Sequence, residues 1–260
     1  MPGPYQGVYG FTVFNWMLPY IENQRLYDLC VERTNAAEGF RFSALTVDDA
    51  PNAVAVPAYI CPDEPNPMGQ KAWGRGVRDG IGGPTNWGTA SYAANYFVFG
   101  NVEAVHPRTG RRGDVEGNNK WSAIVDGTSN TVMFGERYAN CTNAGEGRGL
   151  YTVLWSDATS MWRPVFCLNN ISRDTIDEGF NKGTPEDGSY LPGHPPCAKF
   201  QVQPHWEESC DTSRAQSPHS GGMNVCLADA SVRFVSGDID ENVWALVCDA
   251  SDEQVIGGDW

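Results

Sequence analysis

The sequence predicts an α+β fold: an antiparallel β-sheet with short helices and long loops tied by disulfides. The first observation is the stretch PHSGGMNVCLADASVRFV at residues 218–235. Val225 and Leu227 alternate with Asn224, Cys226 and Ala228, and Val232 and Phe234 then alternate with Arg233. Two period-2 runs around Asp229-Ala230 read as a tight β-hairpin in the middle of a sheet. The second observation is composition. Gly 29 and Pro 17, with hydrophobic content of 41%, favour strands and loops over helices. The third is eight scattered cysteines: Cys30, Cys61, Cys141, Cys167, Cys197, Cys210, Cys226 and Cys248.

The cysteines carry two readings. An even, scattered set with no C-x-x-C spacing predicts up to four disulfides in an exported protein. The other reading is buried thiols in a cytosolic protein. For the oxidised case the expected pairing is neighbours in order, with Cys226–Cys248 the firmest pair. Eight cysteines allow 105 pairings, so connectivity stays open.

Charge excludes one class of partner. Lys plus Arg is 18 and Asp plus Glu is 32, so the formal net charge is 18 − 32 = −14. Such a chain repels phosphate backbones, and no nucleic-acid partner is expected. There is no run of 18 apolar residues, and the opening Met1-Pro2-Gly3-Pro4 is no export signal.

Taken in order, residues 11–30 read as an extended start and then a short helix, with Pro19 in its first turn. Leu26 and Cys30 share one helical face; Tyr20, Gln24 and Tyr27 share another. Residues 53–62 are apolar but broken by Pro57, hence an edge strand or two short pieces. Residues 65–87 are a Gly-rich loop, and residues 91–100 return to strand. Residues 101–120 read as an exposed loop. Asp126-Gly127-Thr128-Ser129-Asn130 is a turn by composition, followed by a strand from Thr131. Further strands are expected at 151–155 and 161–168. Residues 169–218 are a long insertion held by Cys197 and Cys210. Gly221 and Gly222 let the chain enter the hairpin at an unusual angle. After it, Asp238-Ile239-Asp240-Glu241 has the shape of a capping box, and Ile239, Val243, Trp244 and Val247 recur at helical spacing. The chain reads as one domain, residues 1–260, with insertions at 65–120 and 169–218.

Several motifs resemble a large family of prepilin-type secreted proteins with no settled biochemical function. They are His219, nine intervening residues, Asp229 and a small residue; Asp126-Gly127-Thr128-Ser129-Asn130-Thr131 before a strand ending Gly135-Glu136-Arg137; Cys61-Pro62-Asp63; and Leu18-Pro19-Tyr20-Ile21-Glu22. The family pattern has Gly after the Asp, where this chain has Ala230, which puts the turn type in question. The resemblance implies a pilin-like or pseudopilin-like head. It implies an extracellular or cell-surface location, and self-assembly and membrane attachment only through an N-terminal helix that this chain lacks. His219, Gly221, Gly222, Asn224, Asp229, Asp126 and Gly127 are then structural motif residues.

Chemistry is sparse. No G-x-S-x-G nucleophile elbow occurs. His219 and Asp229 stand roughly 17–20 Å apart along a straight strand, too far for a catalytic pair. His219 is expected to hydrogen-bond backbone near the glycine pair. His194 and His205 fit no zinc signature. Asp238, Asp240, Glu241, Asp249 and Asp252, with Glu253, are candidate calcium ligands, although helix capping and surface charge also account for them. Trp73, Trp87 and Trp206 stand in polar or Gly-rich contexts, as does Trp260, and could stack on sugar rings. The leading expectation is a non-enzymatic, prepilin-like structural ectodomain. The alternative is a polysaccharide-binding module on such an appendage, and the third is a glycoside hydrolase.

Overall fold

A computed structural model describes residues 11–36, 51–65, 88–105, 112–114, 120–142, 150–156, 164–167, 197–211, 214–257 and 260. The start is helical, not extended. Thr12 caps helix α1 (Val13–Met17) in a reciprocal box with Asn15, a local bond set that outweighs the β-branched and aromatic run. Pro19 opens a 3-10 turn (Leu18–Ile21), and α2 (Gln24–Ala36) follows. Leu26 and Cys30 are buried as their spacing implies, whereas Tyr20 is 88% exposed. The expected edge strand at 53–62 is absent. Pro57, with fixed φ and no N–H, starts a 3-10 turn (Pro57–Tyr59) instead.

Strand β1 (Tyr92–Asn95) runs into one helical turn, α3 (Tyr96–Phe99), capped by Asn95. β2 (Asn101–Val105) pairs antiparallel with β3 (Arg112–Asp114), so part of the expected loop is a hairpin. β4 (Val132–Glu136) follows the Asp-Gly-Thr-Ser-Asn turn. β5 (Asn140–Thr142) pairs with β6 (Leu150–Thr152), and β7 (Val165–Phe166) follows. β8 (Gln201–Val202) and β9 (Gln216–Ser217) form a short parallel pair. β10 (Gly222–Leu227), β11 (Val232–Ser236) and helix α4 (Glu241–Cys248) complete the order. The main sheet runs β11-β10-β4-β1-β7 and is antiparallel except at β1–β7. The predicted α+β class, antiparallel sheet with short helices, is what forms.

β10 lies inside this sheet, as its alternation predicts: Met223, Val225 and Leu227 are buried on one face. They pack with Trp244 and Val247 of α4, and with Phe166 and Phe200. The opposite face, through Tyr92 and Phe134, packs on the N-terminal helices around Phe11, Phe14 and Leu18. On β11, the edge strand, Val232 and Phe234 are exposed while Val235 is buried.

The hairpin loop has three residues. Ala230 N–H donates to Leu227 O and Leu227 N–H to Ser231 O, and Ala230 sits at φ 67. This is a turn closed by a left-handed residue, the position where Gly is ordinarily favoured. The glycine pair at the entry to β10 is used as expected. Gly221 has φ 82, and a Cβ on Gly222 would lie 2.1 Å from Val235 O.

The cysteines pair differently from the expected neighbours in order. Cys141 bonds Cys210 and Cys167 bonds Cys197, while Cys30, Cys61, Cys226 and Cys248 stay as thiols. Cys197 and Cys210 do hold the insertion, each to a residue before it rather than to each other. Cys226 faces away from the α4 side of β10, where Cys248 is buried, and so the predicted Cys226–Cys248 bridge does not form.

Candidate functional site

The site is built on the last residue of β4. Period-2 alternation sets Glu136, like Phe134, on the face opposite α4. Glu136 is only 2% exposed, and four donors converge on it. Ser217 Oγ and Asn224 N–H reach Oε2 at 2.8 and 3.1 Å. Asn224 Nδ2 reaches Oε1 at 3.1 Å, and His219 Nε2 lies 2.8 Å from the same oxygen. A buried carboxylate requires such a set, since desolvation is otherwise prohibitive.

The His219 ring is held at both nitrogens. Its Nδ1 lies 3.2 Å from Asp63 Oδ2, and a protonated ring donates to both carboxylates. The ring therefore serves side chains, not the backbone bond expected near the glycine pair; the bend at Ser217–Gly221 aims it across the sheet. Cys61 Sγ is 3.8 Å from His219 Nε2. Cys61 is 2% exposed, and burial pushes its thiol pKa up. Tyr92, opposite Glu136 on β1, hydrogen-bonds Cys61, and mainly burial pushes its phenol up to about 12. Next to them Glu64 Oε2 accepts from Ser91 Oγ at 2.7 Å and from Ala139 N–H at 3.0 Å.

Three motifs distant in sequence thus meet: Cys61-Pro62-Asp63, Gly135-Glu136-Arg137 and His219. Two further hydrogen bonds join the Asp126–Thr131 motif to the hairpin loop. Asp229 N–H donates to Thr128 O and Ala228 N–H to Thr131 O, so the Asp-Gly-Thr-Ser-Asn turn packs on the hairpin loop. Asp229 closes that loop by accepting from Ser231 N–H and Oγ. Asp126 accepts from Asp252 N–H and Glu253 N–H, tying down the tail after α4. Arg137, buried, donates to Val165 O, and burial lowers its pKa to about 10, still cationic at neutral pH.

A family model described as "Protein of unknown function (DUF1559)" matches residues 1–242. The chain belongs to this family. The match takes in every residue of the Glu136 cluster and both strands of the hairpin, and leaves out most of α4 and the tail. No curated protein and no solved structure matches.

Other sequence-predicted residues lie apart from this cluster. Asp240, not Asp238, caps α4 through Asn242 N–H and Val243 N–H. Asp249 and Asp252 accept from Ser251 N–H and Gln254 N–H, bonds within their own loops. Among the described residues, no three acidic groups of Asp238, Asp240, Glu241, Asp249, Asp252 and Glu253 gather their oxygens into a common cage. Trp206 is half-buried against Tyr138, Cys141 and Cys210, and Trp260 packs on the α4-side core with the Arg233 guanidinium over its ring. Trp73, Trp87 and His194 lie outside the described residues. Sequence reasoning did not single out Cys61, Asp63, Glu136 or Ser217 as site residues. The signal available was their place in the motifs or, for Ser217, none.

Proposed function

We propose that this chain is the non-enzymatic ectodomain of a prepilin-like, cell-surface protein, a subunit of an extracellular filament or secretion-type appendage. The observation that carries this reading is the use of the motif residues. Asp126, Glu136, His219 and Asp229 each bind another part of the chain, so the motifs maintain a head domain. Two disulfides anchoring the long insertion support an oxidising, extracellular setting. Assembly would run through an apolar N-terminal helix of the kind the resemblance implies.

The experiment is fractionation of cells producing the full-length gene product. Expected is recovery in the sheared surface fraction, degraded by protease added to intact cells. Recovery in the cytosol alone, with eight alkylatable thiols, overturns the reading.

A further inference from the structure

We propose that Cys61, Glu136 and His219 form a binding site for a divalent transition metal of the zinc type, with three protein ligands. Their donor atoms all lie within 4.8 Å of one another, around one point between β4, the segment after the Pro57–Tyr59 turn and the bend before β10. The donor types are a thiolate sulfur, an imidazole nitrogen and a carboxylate oxygen, all zinc ligands. The thiolate selects against calcium and magnesium, which take oxygen.

The spacing is close to what a metal needs. Ligands about 2.0–2.3 Å from zinc in a tetrahedron stand about 3.3–3.6 Å apart. Sγ and Nε2 are 3.8 Å apart, and Nε2 and Oε1 are 2.8 Å apart. Admitting the ion opens the second pair by about half an ångström and releases to solvent both the Cys61 thiol proton and any proton on Nε2. His219 is a quarter exposed, so a small ring movement meets no closed wall.

The surroundings are those of a metal centre. Nδ1 of His219 faces the Asp63 carboxylate, the arrangement that orients a metal-bound imidazole and raises its basicity. Asn224 and Ser217 orient the Glu136 carboxylate. One thiolate, one carboxylate and a dication sum to zero charge over the ion and its three ligands, which offsets the desolvation of Cys61 and Glu136, both 2% exposed. A Cys-His-Asp nucleophile fits less well, because Cys61 is only 2% exposed and its thiol pKa is raised by burial, where a nucleophilic cysteine is exposed with a lowered pKa. The other cysteine cluster, Cys167, Cys197 and Cys248, is no rival, since two of its sulfurs are joined in a disulfide.

Cobalt(II) titration of chelator-treated protein tests this. Expected is one equivalent bound per chain, with a near-ultraviolet sulfur-to-cobalt charge-transfer band that zinc abolishes. The band is absent in Cys61→Ser and retained in Cys226→Ser. Asp63→Asn weakens cobalt binding by about 10- to 100-fold. If Cys61→Ser fails to fold, X-ray absorption of zinc-loaded wild-type protein decides: one sulfur in the shell supports the site. Absence of the band in wild type, its survival in a folded Cys61→Ser, or a shell of nitrogen and oxygen alone overturns it.

Discussion

His219 Nε2 stands 2.8 Å from Glu136 Oε1, joining the strand that ends in Gly-Glu-Arg to the bend that leads into the hairpin. Removing Glu136 takes the carboxylate away from Ser217 Oγ, Asn224 N–H and Nδ2, and His219 Nε2, while His219 Nδ1 keeps Asp63. Glu136→Ala, in metal-free protein, is expected to cost about 3–5 kcal/mol, the usual result of breaking a buried pair from one side. Urea unfolding measures it. A loss below about 0.5 kcal/mol would show that the cluster does not hold the fold.

Ala230 occupies a left-handed position that costs a residue with a Cβ about 1–2 kcal/mol. Glycine removes that strain but adds unfolded-state entropy of about 0.4–1 kcal/mol. Ala230→Gly is therefore expected to stabilise by about 0.5–1 kcal/mol, read from the urea midpoint at constant slope. An unchanged or lower midpoint would mean the loop is not strained at this residue.

Two disulfides and four thiols predict an intact mass about 4 Da below the all-thiol mass without reductant. Cys226, half-buried, should alkylate before Cys61 and Cys248 in native protein, and burial raises the pKa of all three thiols. Replacing Cys167 and Cys197 together by Ser should cost about 3–4 kcal/mol on the chain-entropy model. Peptide mapping that finds a Cys226–Cys248 peptide would contradict the pairing.

Asp249 has its pKa raised, chiefly by burial, with Asp252 and Asp126 adding repulsion. A carboxyl whose folded pKa lies above its unfolded value favours the folded state least when ionised. The penalty is absent below the unfolded pKa of about 3.9, grows through the folded value and is complete at neutral pH. Asp249→Asn keeps an acceptor for Ser251 N–H and should raise Tm at pH 7, with the gain vanishing near pH 3. A gain of equal size at both pH values would assign it to something other than charge.

The sheet was readable because alternation is a local property. Val225 and Leu227 in β10, the turn at Asp126 and the helical spacing of Trp244 and Val247 all appear as written. The local signal misleads where two features compete. Thr12 with Asn15 starts a helix in a run that looks extended, and Pro57 starts a 3-10 turn where apolar content suggested strand. Asp240 caps α4, two residues after the Asp238 to which the Asp238-to-Glu241 spacing points.

By itself the sequence determined the α+β class, the hairpin, the C-terminal helix and the absence of charge suited to nucleic acid, each set by residues near one another in the chain. Only the tertiary structure decided which cysteines pair, and that Cys61, Asp63, Glu136 and His219 share one pocket. Periodicity says which way a side chain points within its own element. It carries no information on which distant element lies opposite. A disulfide or a ligand cluster needs atoms a few ångströms apart, and that separation is fixed by the order β11-β10-β4-β1-β7 and by the bend that carries His219 across to Glu136.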